Sequence, residues 1–527
     1  EGDLSTTGSS QRYVAWDEAR GRPSIYDPAL GSYEGGSENL ALFGEFTIDT
    51  LGGELLCRPA FDLAAELCGQ YAPQRAEAIC GVDREQIKSA ARLLWEARPV
   101  AYNAWSGLEM QSNATQIARA IGLLYALTGS FDARGGNVIL PVVPSGDVSG
   151  NELLRVEQRA LALGLTERPL GPGRFLHVTS EEIYRGILEQ KPYAVRGLVG
   201  FGANLLLSHA DGLRGREALT ALDFYVHADM FMNPTAELAD VVLPVASAFE
   251  REALKIGFDV SEEAQSLVQL RRRVVEPRGE SRSDTKIVFE LARRLGLGEH
   301  FWDGDIDAAY RCQLGPSGVA LDTLRENPGG VRVPLQTRYR KFAEKKDGTA
   351  AGFATRTKKV QLYLENMVEH DYAPLPAYEE PLMSPTSRPE LSERYPLILT
   401  CAKHTLFCNS QHRSLPSLRR QARDPEVELH PEAAVERGIE PGDWVRIETP
   451  EGSVRARARL NDTLKPDVVC GQHGWWQASS EIDAPGYDSF SSEGANLNLL
   501  IGNETSDPVS GSVPHRAYLC QISAIEA

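Results

Sequence analysis

The sequence predicts an α/β chain built on a mostly parallel sheet and followed by a compact C-terminal β-barrel. Strand-like and helix-like runs alternate between residues 56 and 300, the order that a parallel sheet with crossover helices requires. From Tyr395 the pattern changes, and PGDWVRIETPEGSVRARARL reads as two alternating strands about a Pro-Glu-Gly turn. At 527 residues the chain also exceeds what one hydrophobic core supports, so roughly two to four packed units are expected.

Taken in order, residues 1–55 are rich in Gly, Ser, Asp and Tyr with little periodicity and read as an extended strap. From Arg58 the pattern is helical, with Asp83 and Gln86 spaced as a capping box before Ile87, Ala90, Ala91 and Leu94. PVAYNAW reads as a short buried strand, and SGLEMQSNATQIARAIGLLYALTG as a Gly-containing turn leading into a helix that stops near Gly129. In the second block, VRGLVGFGAN ends a strand at a Gly-rich turn, GLRGREALTAL is helical, and LDFYVHADMF and ADVVLPVA are strands. Residues 281–296 form an amphipathic helix. Residues 300–390 read as an irregular connection with one strand at KVQLYLE. The domain boundaries are therefore 1–55, 56–150, 151–300, 301–394 and 395–527. Ligands of a parallel sheet gather at the carboxyl ends of its strands, here Trp105 to Glu109, Gly200 to Asn204, His227 to Asp229 and Pro244 to Ser247.

Apolar content of 42% and charged content of 24% are ordinary for a globular chain, and a net charge of -18 argues against nucleic acid as a partner. The eight cysteines are dispersed without a CxxC pair, so no resident iron-sulfur cluster is expected. No run of 18 apolar residues occurs, so no membrane insertion is expected. The chain opens EGDLSTTGSS, without an initiator Met or a signal segment, and reads as processed or cut from something longer.

Three segments, QIARAIGLLYALTGSFDARGGN, HADMFMNPTAELADVVLPVASAFERE, and LTCAKHTLFCNSQHRSLPSL through HGWW, together resemble the molybdopterin oxidoreductases of the dimethyl sulfoxide reductase family. They occur in the family's order, and the resemblance runs from about residue 40 to residue 522. It implies parallel-sheet molybdopterin-binding domains followed by a six-stranded double-psi β-barrel. It also implies two molybdopterin guanine dinucleotides that hold one molybdenum or tungsten atom.

Such a ligand needs backbone N–H groups, carboxylates for sugar hydroxyls and planar hydrogen-bonding groups. The resemblance places Trp105, Ser106, Gly107, Leu108 and Glu109 beside one dinucleotide, where Gly107 permits close backbone approach; a plain strand-to-helix turn is the other reading. Gly200, Gly202 and Asn204 occupy the family's strand-end loop, and Asp229 with Thr235 matches the guanosine-contacting segment, although Asp229 also reads as a helix cap. Thr400, His404, Ser410, Gln411, His412 and Arg413 match the stretch that wraps the other dinucleotide. Trp475 and Trp476 read either as an aromatic wall or as core, and Asn496, Asn498, Asp507, His515 and Arg516 fall where the family closes over the pterin. Asp240 serves structure.

The family's iron-sulfur segment and metal-ligating residue precede the stretch that this chain matches. An iron-sulfur cluster is therefore expected only in that missing N-terminal region or in an electron-transfer partner subunit, and no metal ligand or catalytic residue is assigned. His404, His412 and His473 are the first to test as proton carriers. Gly136-Asn137 continues into VILPVVPSGD without the arginine of formate dehydrogenases, which disfavours formate and leaves sulfur or arsenic oxyanions, polysulfide, hydration and hydroxyl transfer open. The implied activity on a small-molecule substrate is oxygen-atom or hydride transfer, with electrons leaving through the pterins. A non-catalytic cofactor-binding fragment or subunit is the alternative. An ordinary dinucleotide dehydrogenase is disfavoured, because no GxGxxG joins a strand to a helix. Cytoplasm is the default location, with periplasm as the alternative.

Overall fold

The computed structural model describes residues 13–27, 31–346, 349–355 and 357–525. They divide into two compact units, each assembled from separate stretches of the chain. One comprises residues up to 105, 116–141 and 336–378; the other comprises 106–115, 142–335 and 379 onward.

In the first unit the described part of the expected strap is instead antiparallel sheet, while its residues 1–12 and 28–30 lie outside the described residues. Val14–Asp17, Arg22–Asp27 and Ser32–Tyr33 pair in sequence, and Phe46–Thr50 forms a hairpin with Gly53–Cys57. These strands are too short to show a period in sequence, yet they bury Tyr26 completely and stack Trp16 on Phe46 with ring centroids 4.8 Å apart. Helices follow at Ala60–Gly69, Pro73–Cys80 and Arg84–Glu96, the last capped by the Asp83 carboxylate, which accepts from the Glu85 and Gln86 amides.

PVAYNAW forms no strand. The Tyr102 amide and carbonyl are both taken by the Asn137 side chain and the Val100 amide by Ser130 Oγ, which replaces ladder pairing with side-chain pins. KVQLYLE forms no strand either. The Leu364 amide donates to Pro374 O and the Leu362 carbonyl accepts from Arg119, after which Glu365–Val368 turns helical. The stretch from 301 to 394 also carries helices at Ile306–Leu314 and Leu321–Glu326, where the sequence suggested irregular chain.

The second unit holds the parallel sheet. Gly197–Phe201, Phe224–Asp229 and Val241–Pro244 lie side by side, with Val199, Val226 and Val241 in register. Helices Ser180–Leu188 and Gly212–Thr220 bury Tyr184, Ala218, Leu219 and Tyr225 around it. Gly215 is required there, because a Cβ would stand 2.6 Å from the Tyr184 hydroxyl. The amphipathic helix forms over Asp284–Arg294, with Ser283 as its cap.

The C-terminal barrel is closed in the order Leu397–Ala402, Val468–Gln472, Glu426–Leu429, Ser453–Leu460, Trp444–Glu448 and Tyr518–Ala524. The first and third neighbouring pairs are parallel and the rest antiparallel. Closure leaves no edge, and the alternation of SVRARARL sends Val454, Ala456 and Ala458 inward to meet Leu399, Val427, Val445 and Val469. The helix Pro431–Glu436 stops before Gly438, whose φ is +62°.

Leu399 has no exposed surface in this core, whereas Leu51 is 94% exposed. Leu399→Ala should cost about 2–5 kcal/mol and Leu51→Ala less than about 0.5 kcal/mol, measured as shifts in urea midpoint at constant slope.

Candidate functional site

Within the second unit the strand ends of the sheet touch the loops of the barrel. Asn204 Nδ2 lies 3.4 Å from Ser410 Oγ, so the strand-end loop and the loop after the first barrel strand meet directly. Asn204 Oδ1 in turn accepts from Thr235 Oγ1, which also accepts from the Leu206 amide. Thr235 is fully buried, so it fixes Asn204 from beneath.

Asp229 ends its strand half-buried. Its Oδ1 accepts from the Phe231 amide, and its Oδ2 from Asn233 Nδ2 at 2.8 Å, with His227 Nε2 at 3.4 Å. His227 has no exposed surface, and its Nδ1 lies 2.6 Å from the Tyr225 hydroxyl. Gly200 makes room for this ring, since a Cβ there would stand 2.9 Å from Nδ1. Burial opposes the Asp229 charge, but hydrogen bonds from His227 and from the Phe231 and Met230 amides hold its carboxyl below the ordinary carboxylate range. Burial and the Asp229 charge push the Tyr225 hydroxyl up. Sequence reasoning placed His227 only as part of a strand end and missed Tyr225 and Asn233, although the alternation in FYVHAD puts Tyr225, His227 and Asp229 on one face.

The barrel loop is organised by two guanidinium groups. Arg413 is 1% exposed and Arg419 is fully buried. Arg413 donates to Gln411 O and His473 O and stacks over Phe407 at 3.9 Å and Trp475 at 4.8 Å. Arg419 donates to the carbonyls of Arg413, Arg423, Gln477 and Pro485. Burial, with the neighbouring Arg419 charge, pulls the Arg413 pKa down to about 9. Trp475 has no exposed surface and packs against Phe407 and Tyr487, so it is core supporting the loop and not an aromatic wall. Trp476 is half-buried and donates to Ser410 O. Gly474, at φ +83°, lets residue 409 approach, because a Cβ would meet Asn409 O at 2.5 Å.

The remaining expected residues fall into three groups. Thr400 lies half-buried in its strand opposite Cys470, His404 Nδ1 accepts from the Leu406 amide, and Gln411 and His412 are exposed. Gly107 and Ser106 lie near the C-terminal segment, because a Cβ on Gly107 would be 3.4 Å from the Arg516 guanidinium. Gly107 is thus grouped with Arg516, and Asn204 with Ser410. Glu109 is exposed and its carbonyl accepts from Ser512 Oγ, while Trp105, 78% exposed, belongs to the first unit. Asn498 Oδ1 lies 2.8 Å from His515 Nε2, and Asn496 donates to Leu206 O and Ser489 O. Arg516 donates to Cys401 O, and the buried Asp507 faces protein donors.

Several buried polar atoms around these loops find no partner among the described residues: Arg413 Nε, Arg516 Nε, His473 Nδ1 and His209 Nδ1. Burial and nearby arginine charges bring His473 down to about 4, and burial together with His473, Arg516 and His209 does the same to His515. Both imidazoles are therefore neutral near pH 7 and act as hydrogen-bonding groups.

A cavity of about 650 Å³, which sequence reasoning also missed, opens beside the end of the third parallel strand. Arg282 bridges Val245 there, and six cations (Arg251, Arg272, Arg273, Arg282, Lys286 and Arg325) face three carboxylates. Arg251 Nε and Ser281 Oγ are buried without a partner among the described residues. Arg251 pairs with Asp284, Arg273 with Glu276, Arg282 and Lys286 with Glu290, and Arg325 with Glu252 and Asp307, so the cavity offers a ligand guanidinium edges rather than a large excess of charge. Among the described residues no three His, Cys, Asp or Glu side chains converge as a metal site, and no helix is long and apolar enough to cross a membrane.

His473 and His515 carry folded pKa values near about 4, against 6.5 for the free side chain, so between these values the unfolded chain binds more protons. Stability attributable to them is flat above roughly pH 6.5 and falls as the pH drops toward about 4. Denaturation midpoints of His473→Gln measured across this window should show a shallower acid loss than the parent protein.

Comparison with known proteins matches the profile "Molybdopterin oxidoreductase" to residues 89–294 and "Molydopterin dinucleotide binding domain" to residues 397–518. Acetylene hydratase of Syntrophotalea acetylenica is 27% identical over 450 residues, covering 80% of this chain and 60% of that protein. Dopamine dehydroxylase of Eggerthella lenta is 27% identical over 584 residues, covering 95% and 56%. Dimethyl sulfoxide reductase of Escherichia coli is 25% identical over 492 residues, covering 86% and 57%. The solved acetylene hydratase from Pelobacter acetylenicus has the same fold at a TM-score of 0.76 and 24% identity, over 87% of this chain and 66% of that one. The chain thus spans 56–60% of the length of these curated relatives. The parallel sheet, the closed six-stranded barrel and both profiles make the chain a member of the molybdopterin oxidoreductases of the dimethyl sulfoxide reductase family, whose characterised relatives are enzymes.

Proposed function

We propose that this chain holds two molybdopterin guanine dinucleotides around one molybdenum or tungsten atom. In this reading its protein transfers an oxygen atom or a hydride on a small substrate and passes electrons to an iron-sulfur partner. The observation that carries the reading is the set of buried, unpartnered donors on Arg413, Arg516, His473 and Arg251, the groups a large polar anion would satisfy. Their chemistry fits the cofactor. Arginines suit pyrophosphate and the oxygen-rich edge of guanine, a fixed carboxylate such as Asp229 suits ribose hydroxyls or the guanine amino group, and neutral imidazoles suit a pterin rim.

In this role the cavity of Arg251, Arg282 and Lys286 would take the nucleotide end of one dinucleotide, with Asp229 and Asn204 on its sugar and base. The loop of Ser410 and Arg413, with His473, Asn498, His515 and Arg516, would take the other. The bound metal supplies a two-electron redox change at a site for oxygen or hydride. The chain orients and shields it. His473 and His515 stay uncharged, so the positive field comes from the arginine and lysine side chains. The identity of relatives with a hydratase and a dehydroxylase supports hydration or hydroxyl removal beside oxyanion or polysulfide reduction as the substrate chemistry. The alternative, a cofactor-holding part whose metal ligand comes from elsewhere, shares every contact above. Cytoplasm is the proposed location and periplasm the alternative, distinguishable by fractionation.

The test is anaerobic purification with elemental analysis, identification of the extracted pterin nucleotide, and dye-linked turnover. The reading expects molybdenum or tungsten with a guanine dinucleotide. Arg251→Met and Asn204→Ala should each lower nucleotide content, the former by about tenfold. Nucleotide and metal without turnover selects the alternative, and absence of both from the preparation overturns the reading.

A further inference from the structure

Asp507 is 1% exposed, and its carboxylate is held by five hydrogen bonds from protein donors. Oδ1 accepts from Thr115 Oγ1 at 2.8 Å, the Val509 amide at 3.0 Å, the Ser510 amide at 2.6 Å and Ser510 Oγ at 2.9 Å, while Oδ2 accepts from the Thr115 amide at 3.0 Å. Oδ1 is crowded by four donors while Oδ2 takes one, and it is burial that leaves the group no open face for a sugar hydroxyl or a base edge. Two of these donors belong to Thr115, at the start of the helix Ala114–Leu127, far from Asp507 in sequence.

A second bond runs parallel to this one. Ser512 Oγ donates to the Glu109 carbonyl, in the turn that the Glu109 amide closes on Ser106 O. The Asp507 loop closes on itself through the Asp507 amide to Ser512 O and the Gly511 amide to Asp507 O. It is braced from behind by Arg168, which donates to Ser506 Oγ and pairs with the buried Glu182. Residues 106–115 are thereby fastened to residues 506–512. Immediately beyond this loop stands Arg516, whose guanidinium lies over Gly107 and whose Nε has no partner among the described residues.

We infer that Asp507 is a positioning residue. It clasps the turn at 106–110 and the helix start at Thr115 onto the C-terminal segment, and so sets Arg516 over Gly107 for the ligand. The inference rests on the cofactor reading for what Arg516 meets, but the clasp itself is a property of the chain. It replaces the role of direct ligand that the sequence suggested for Asp507 with an indirect one acting through Arg516.

Thr115→Val removes one hydroxyl donor while keeping shape, and Thr115→Ser keeps the donor. Asp507→Asn is the harsher change, since its amide would face donors. In the full chain, hydrogen exchange over residues 106–115 should accelerate in Thr115→Val and return to the parent rate in Thr115→Ser. In protein purified with cofactor, Thr115→Val should release the dinucleotide roughly tenfold faster, and Thr115→Ser at the parent rate. Combined with Arg516→Met it should add nothing to the release caused by Arg516→Met alone, because one works through the other. Unchanged exchange in Thr115→Val overturns the clasp, and release that adds to that of Arg516→Met overturns positioning. If the parent protein carries no dinucleotide, the cofactor reading fails, and the exchange result alone decides the clasp.

Discussion

The barrel loops depend on two guanidinium groups buried side by side with no bonded carboxylate among the described residues. Arg413 and Arg419 flank Trp475, at 4.8 and 5.2 Å from its ring. Burying one unpaired charge is costly, and burying two of the same sign more so. The cost is offset by carbonyls: Arg419 bonds four and Arg413 two, so six backbone positions in the segments around 411–423, 473–477 and 485 are fixed by these side chains. A neutral side chain would free those carbonyls, and a lysine could reach neither the fork geometry nor the aromatic faces. The loop conformation at Asn409 and His412, both at positive φ, is held by that constraint.

The electrostatics of the site follow from it. Burial, and after it the Arg413 charge, holds both His404 and His473 below the ordinary imidazole range. The site is therefore electropositive through arginine, with the His404 and His473 imidazoles disfavoured from adding charge to it. On the sheet side the logic is reversed. Tyr225, His227 and Asn233 hold the Asp229 carboxylate charged and oriented, giving a fixed acceptor where the barrel offers donors.

The parts of the fold governed by local pattern were legible in the sequence. The hairpin about Pro450-Glu451-Gly452, the helix cap at Asp83 and the helix stop near Gly129 each rest on neighbours within a few residues. Residues 13–57 were not, because strands of two to six residues give too few alternations to register. PVAYNAW and KVQLYLE have strand composition, but Asn137, Pro374 and Arg119 occupy their backbone groups from far along the chain. The site divides similarly. Asn204, Ser410 and Arg413 stand in segments that the family resemblance marks. The cavity of Arg251 and Arg282, the bonds from Thr115 to Asp507 and the burial of Trp475 arise only when distant segments meet.

The central claim is that the loop braced by Arg413 and Arg419 is one face of a dinucleotide site. The direct measurement is differential hydrogen exchange between anaerobically purified protein and the same protein stripped of its cofactor. The account predicts protection by the cofactor at residues 404–413, at His473 and Arg516, and around Arg251 and Ser281. Unchanged exchange at 404–413 and His473, with protection confined to other surfaces, would contradict it.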